Sequence, residues 1–360
     1  MNWVLLRYRL ATILLKLLAT GGGYRVMARW KKHTSRVLQR RVLAGKAIRP
    51  RTAKWEITLA CNLNCAMCHQ RLDRAKQDYL TWQEAKSLVR TLAGRGIRRL
   101  ILKGGEVTCV PYIYDLIDFA GASGMRVRLL TNGYDVQAGQ VNQLIRKGVI
   151  QAITLSIDGA AGFHNQMRGK ADAYQRTMAL LERLAPVVVN ISSVWFPNHS
   201  NQLEHVFEQV VRPLRIPVWT VSIENAPKQS LLLSETERLG ISLRLRPGAH
   251  ASLEPFQQQR PFMLDLQQRA AGAGTLFILQ PGVFMGVSEG SRGFCDAFYT
   301  LNLDAKGRVL FCPFMKKNFG PLHIADGFPS RGNEYTRFTQ RFLTSGMSAI
   351  CPFCCKYERL

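Results

Sequence analysis

From Lys54 onward, short runs whose apolar residues recur at every second position alternate with longer runs whose apolar residues recur every three or four. The first period marks a half-buried strand and the second an amphipathic helix. KWEITLA, beginning at Lys54, reads as the first strand, and Thr81 with Glu84 in TWQE forms a capping box opening a helix that ends near Gly94. RRLILK, a helix from about Tyr112 to Ala122, RVRLL, and a helix from about Val136 to Lys147 stopped by Gly148 follow. AITLSID, a helix around Ala173 to Leu184, VVVNISSVW, a helix around Gln202 to Val211, and VWTVSIE complete six strands. Such alternation implies a parallel sheet with right-handed crossovers. Residues 239–292 show no clear period and read as a connecting segment, whereas YTLNLDAKGRVLFC predicts a hairpin turning at DAKG.

The opening MNWVLLRYRLATILLKLL is apolar, but Arg7, Arg9 and Lys16 interrupt it before the roughly 20 apolar residues a membrane span needs. It lacks the layout of a secretory signal and reads as an amphipathic helix followed by the basic run RWKKHTSRVLQRR. Of the net charge of +25, fourteen Lys and Arg precede the first acid, Glu56. Three readings of this extension compete: a helix packed on the main domain with a solvated basic face, a helix on an anionic membrane surface, or a phosphate contact to nucleic acid. The scarcity of interleaved aromatics disfavours the last.

Parallel sheets place binding residues just beyond the carboxyl ends of their strands. CNLNCAMC sits there after the first strand, KGGE after the second, TNG after the third, and SIDG at the end of the fourth. The nine cysteines fall into two groups, with Cys109 between them; without a secretory signal this usage points to metal or redox chemistry in a reducing compartment. Cys61, Cys65 and Cys68 offer three soft ligands on one loop. Structural zinc ordinarily wants four closed ligands, while an iron-sulfur cluster held by three cysteines leaves one iron open. His69 is the rival fourth ligand, but its adjacency to Cys68 makes joint ligation of one metal awkward.

C-x3-C-x2-C after a first strand, followed by Gly104-Gly105-Glu106 after the second, resembles the radical S-adenosylmethionine (SAM) superfamily over about Lys54 to Asn225. The resemblance implies a partial (β/α)6 barrel and a [4Fe-4S] cluster on Cys61, Cys65 and Cys68 whose open iron chelates SAM. It further implies reductive cleavage of SAM to a 5′-deoxyadenosyl radical that abstracts hydrogen from carbon. Gly104, Gly105 and Glu106 carry over as contacts to the methionyl group, and Ser156 and Asp158, two apart on one strand face, as acceptors from the ribose. Asn132 and Arg168 are weaker candidates, Arg168 for the substrate or the methionyl carboxylate. Asn-Gly and Asp-Gly are also ordinary turn pairs. Met67 stands where the family commonly has an aromatic residue beside the adenine, and Val107 replaces the usual proline.

Cys295 and Cys312, with Gly307 between them, and the later Cys351 and Cys354 make four soft ligands for zinc or iron-sulfur. Their spacing resembles the front of the SPASM domain over about Gly293 to Leu360. That domain uses seven cysteines for two clusters; the five here imply one auxiliary [4Fe-4S] cluster on Cys295, Cys312, Cys351 and Cys354, with Cys355 an alternative to Cys354. Cys109 reads either as a small buried hydrophobe or as a hydrogen donor that quenches a substrate radical.

The expected organisation is a basic extension (1–53), a radical SAM partial barrel (54–238), a connecting segment (239–292) and a SPASM-like domain (293–360). The leading functional expectation is dehydrogenation or epimerisation of a small substrate that is a sugar, nucleotide-linked or lipid-linked, with a phosphorylated one suiting the basic charge. An electron donor such as flavodoxin or ferredoxin is the implied partner. The expected location is the cytoplasm, with peripheral attachment at the inner face of the membrane as the alternative. A peptide maturase acting on a ribosomally made precursor, and a zinc-stabilised nucleic-acid-binding protein, are the alternatives.

Overall fold

The computed structural model describes residues 3–19, 49–68, 78–223, 258–280, 300–311 and 318–321, with isolated positions between 26 and 44 and at 337 and 340. Helix α1 (Trp3–Ala19) precedes strand β1 (Thr52–Glu56), α2 (Trp82–Gly94), β2 (Arg99–Lys103), α3 (Ile113–Ala122), β3 (Arg126–Thr131), α4 (Ala138–Arg146) and β4 (Ile150–Ser156). Then come α5 (Ala161–Arg168), α6 (Ala173–Arg183), β5 (Val188–Trp195), α7 (Ser200–Val206), β6 (Val218–Ile223), α8 (Arg260–Gly272) and β7 (Leu276–Gln280). Strands β8 (Thr300–Leu303), β9 (Arg308–Leu310) and β10 (Asn318–Pro321) close the list.

The ten strands among the described residues join one sheet in the order β10-β9-β8-β1-β2-β3-β4-β5-β6-β7. Strands β1 to β7 follow one another in parallel, as the β-α alternation requires. The face under the helices is apolar: Trp55, Leu100, Leu102, Val127, Leu129 and Trp219 belong to one continuous core. The opposite face alternates to Lys54, Thr154, Ser156, Asn190, Ser192 and Thr220, all partly open to solvent. The expected α/β partial barrel is therefore present, with a polar lumen.

Local chemistry explains the element ends. Thr81 Oγ1 accepts from the Glu84 N–H at 3.4 Å while the Glu84 carboxylate accepts from the Thr81 N–H at 2.8 Å, the reciprocal box that starts α2; such caps contribute about 1 kcal/mol. Gly307 at φ 70° takes the left-handed position in the β8–β9 turn, and Asp304 accepts from the N–H groups of Lys306 and Arg308 to close it.

The structure differs from the sequence expectation in four places. Residues 260–280, inside the expected connection, supply α8 and a seventh parallel strand, because LFILQ finds the open edge of β6 in register Val218↔Leu276. The expected hairpin forms, but β8 also pairs in parallel with β1, so it extends the barrel sheet and covers an edge that would otherwise be bare. Helix α5 went unforeseen, since AGFHNQMR carries little apolar periodicity. The helix expected around Gln202 to Val211 is α7 followed by a π-helical turn over Phe207–Val211.

Candidate active site at the carboxyl ends of the strands

Beyond Glu56 the chain leaves β1 and forms the loop that carries the three thiols. Asp78, itself buried, anchors the start of that loop: its carboxylate accepts from the Thr58 hydroxyl at 2.5 Å and the Leu59 N–H at 2.8 Å. Sequence reasoning missed Asp78, which lies well outside any motif.

The loop is clamped from two sides. On one, Gly105 N–H donates to Thr58 O at 2.7 Å and Glu106 N–H to Ala60 O at 2.8 Å. A Cβ on Gly104 would meet Thr58 O at 2.3 Å, and one on Gly105 would meet Ala60 O at 2.2 Å. The Gly-Gly pair is thus demanded by backbone-to-backbone approach. On the other side, Ala66 N–H donates to Met167 O at 2.9 Å, and Gly169, at φ 69°, would bring a Cβ within 2.9 Å of Asn64 O.

Between these clamps Cys65 and Met67 are buried with Leu63 and Phe196, and Cys61 and Cys68 pack against the same small apolar cluster. Leu63 N–H donates to Cys61 Sγ at 3.5 Å. Asn132, after β3, donates from Nδ2 to Asn62 Oδ1 at 2.8 Å and reaches Cys61 Sγ at 3.9 Å. Asn62 in turn donates to Asp135 at 2.8 Å, so the TNG turn steadies the thiol loop.

Arg168, the last residue of α5, donates from Nε to Asp158 Oδ2 at 2.7 Å, and its Nη1 lies 3.9 Å from Cys65 Sγ. Burial opposes its charge, but Asp158 and Cys65 hold the guanidinium protonated and raise its pKa. Burial pushes the Cys65 thiol up, with Arg168 pulling the other way. The second oxygen of Asp158 accepts from the Val194 N–H at 2.9 Å, so both oxygens are taken up inside the protein. Ser156 stays partly exposed, in register with Ser192.

Glu106 is buried and also engaged. One oxygen accepts from the Thr108 N–H at 3.2 Å and the Thr131 hydroxyl at 2.6 Å; the other accepts from the Asn132 N–H at 2.7 Å. Burial pushes its carboxyl above the ordinary value against the pull of these donors. Cys109 ends the short turn after Glu106, half-buried and outside the cluster around the three thiols. His69 and the second cysteine group (Cys295, Cys312, Cys351, Cys354 and Cys355) lie outside the described residues.

Among the described residues, no three Cys, His, Asp or Glu side chains converge on a point fit for a single metal ion. The donor set is three thiols spread along one loop beside a buried cation, which fits a cluster where each sulfur binds a different iron. A closed four-ligand zinc site fits it less well.

Residues 55–209 match the Radical SAM superfamily. An AdoMet-dependent heme synthase from Methanosarcina barkeri is 36% identical over 137 residues, covering 38% of this chain and 39% of the relative. Mycofactocin maturase MftC from Mycolicibacterium smegmatis is 28% identical over 278 residues, covering 72% of this chain and 63% of the relative. The chain thus spans about two fifths of the first relative's length and less than two thirds of the second's. A solved structure described as native anSMEcpe with bound AdoMet shares the fold at a TM-score of 0.60 and 14% identity, over 85% of this chain and 87% of that one. Proteins of this superfamily bind a [4Fe-4S] cluster and SAM. The stretch 55–209, which carries the thiol loop and the Gly-Gly-Glu turn, is accordingly a Radical SAM superfamily domain.

Proposed function

We propose that this protein is a radical SAM oxidoreductase or epimerase whose cluster is held by Cys61, Cys65 and Cys68 and whose substrate is an anion seated over the open face of the sheet. The observation that carries this reading is the thiol loop itself, fixed by Asp78, Gly104, Gly105 and Gly169 with the Arg168 cation against Cys65. With cluster and SAM bound, the site would supply one-electron cleavage of the sulfonium and a carbon radical able to take hydrogen from an unactivated carbon.

The chain's own residues then orient and shield. Arg168, held by Asp158, sets its cation beside Cys65 Sγ, one of the three thiols that would hold the cluster, and would attract a carboxylate placed nearby. Leu63, Met67 and Phe196 keep water from one side of the thiol loop. On the lumen face, the solvent-exposed Arg128 projects from β3, where desolvation by the surrounding chain and the like charge of Arg99 lower its pKa. Such crowding of cations favours an anionic occupant. Lys103 is answered there by Glu56 at 2.9 Å.

A peptide substrate is the second reading. It is supported by the MftC match, which extends over most of the chain. The sugar, nucleotide-linked or lipid-linked substrate expected from sequence has no counterpart in the names of the matched relatives, and the anionic character is what we retain of it.

The test is anaerobic reconstitution followed by iron and sulfide analysis and electron paramagnetic resonance with and without SAM, comparing the protein with a Cys61→Ala/Cys65→Ala/Cys68→Ala variant. A signal that SAM perturbs only when the three thiols are present, with release of 5′-deoxyadenosine, supports the assignment. A signal indifferent to both sinks it.

A further inference from the structure

Among the described residues, helix α1 packs on the barrel through one side. Leu15, Leu18 and Ala19 meet Val218, Leu276 and Ile278. Val218 and Leu276 are the first residues of β6 and β7, so α1 lies at the amino ends of those strands, opposite the thiol loop.

The other side of the helix bears Leu10, Ile13, Leu14 and Leu17, each between 55% and 61% exposed. Their spacing of three and four places them on one stripe. At about 100° per residue, Arg9 and Lys16 flank that stripe on one side and Arg7 on the other. No described helix is long and apolar enough to cross a membrane.

Beside Lys16 a cavity of about 550 Å³ opens, lined also by Phe207, Arg212, Arg215 and Arg269. Glu204, Glu208 and Asp265 answer Arg269, and Glu208 also pairs with Arg212. Among the described residues, Lys16 and Arg215 pair with no carboxylate. Arg215 holds φ 51°, the left-handed region that glycine favours, and Leu214 beside it is exposed. Segments distant in sequence thus converge on one surface in which an apolar stripe is bordered by uncompensated cations.

We propose that this surface docks on an anionic phospholipid bilayer, the α1 stripe entering the acyl boundary while Lys16 and Arg215 take lipid phosphates. A long apolar stripe with cations on its flanks is the chemistry that a bilayer interface binds, and neither half alone would hold. Docking at the amino ends of β6 and β7 leaves the rim with the thiol loop open to substrate.

Vesicle flotation of the full chain tests this, using phosphatidylcholine alone and an equal mixture of phosphatidylcholine and phosphatidylglycerol. The protein should float with the mixed vesicles at low salt and stay behind with the neutral ones. Leu10→Ser/Leu14→Ser and Lys16→Glu/Arg215→Glu should each lower partitioning by roughly tenfold or more, since each adjacent cation is worth about a fivefold step, two together exceed tenfold, and two leucines taken from the acyl boundary cost at least as much. Iron content and the response of the resonance signal to SAM should not change, which keeps the result separate from the enzyme assignment. Absence of binding to mixed vesicles, or binding by both variants at the level of the parent, overturns the proposal. So does a concentration-dependent dimer that the same substitutions dissolve, which would make a second copy the occupant.

Discussion

Asp158 holds Arg168 by a 2.7 Å ion pair withdrawn from solvent, and the same guanidinium lies 3.9 Å from the sulfur of Cys65. Removing either partner leaves a buried charge uncompensated, a loss of about 3–5 kcal/mol. Arg168→Gln and Asp158→Asn should therefore both lower the urea midpoint under anaerobic conditions. A cation beside a cluster ligand favours the added electron, so Arg168→Gln should also move the cluster potential to more negative values. A redox titration followed by paramagnetic resonance reads that shift, and an unchanged potential would remove Arg168 from the electrostatics of the site.

Alanine at Gly104 or Gly105 should detach the thiol loop. The new methyl would sit 2.3 Å or 2.2 Å from backbone oxygens of Thr58 and Ala60, which cannot rotate away as a side chain would. Overpacking of this kind costs about 1–3 kcal/mol or more. Iron bound per chain after reconstitution should fall well below that of the parent. Full loading with only SAM affinity lost would instead make the glycines direct cofactor contacts.

Glu106→Gln separates two roles of one carboxylate. Each oxygen accepts a backbone N–H, from Thr108 on one side and Asn132 on the other, so an amide NH2 must face a donor whichever way it turns. The expected loss is about 1–3 kcal/mol of stability. If the unfolding midpoint is unchanged while the response to SAM disappears, Glu106 serves the methionyl group and not the β2–β3 clamp.

His164 makes stability pH-dependent. It is buried against Asp158, Arg168 and the Tyr174 ring, and its Nδ1 accepts from the Asp158 N–H at 3.1 Å. Burial, with a smaller push from Arg168, outweighs the attraction of Asp158 and lowers its pKa from 6.5 to about 4. The unfolded chain then takes up the proton first as pH falls through this window, so stability is intact above 6.5 and declines towards 4. The decline by pH 5 should be about 2 kcal/mol. Urea unfolding at pH 7 and pH 5 measures it, and His164→Asn, which retains an acceptor for the Asp158 N–H, should flatten the dependence.

Much of the site was legible before any coordinates. The spacing of Cys61, Cys65 and Cys68, the placing of Gly104, Gly105 and Glu106 after the next strand, and the succession of six strands separated by helices are all written in local periodicity and composition. The roles inside the site were harder to see. Asp158 and Glu106 look like ligand acceptors in sequence, yet the fold surrounds both with internal donors. Asp78 lies outside any motif and Asn62 is one of the unspecified positions between the cysteines, yet both hold the thiol loop.

The sequence by itself determined strands β1 to β6, most of the helices between them and which loop bears the thiols, because hydrophobic period, caps and turn residues act over a few neighbours. Tertiary structure alone decided that LFILQ completes the sheet, that the β8–β9 hairpin docks on β1, and that Arg168 meets Cys65. It also decided which side of α1 is buried. These are contacts between residues far apart in the chain, and no local pattern encodes them, since strand pairing and charge burial are settled only when the whole sheet is assembled.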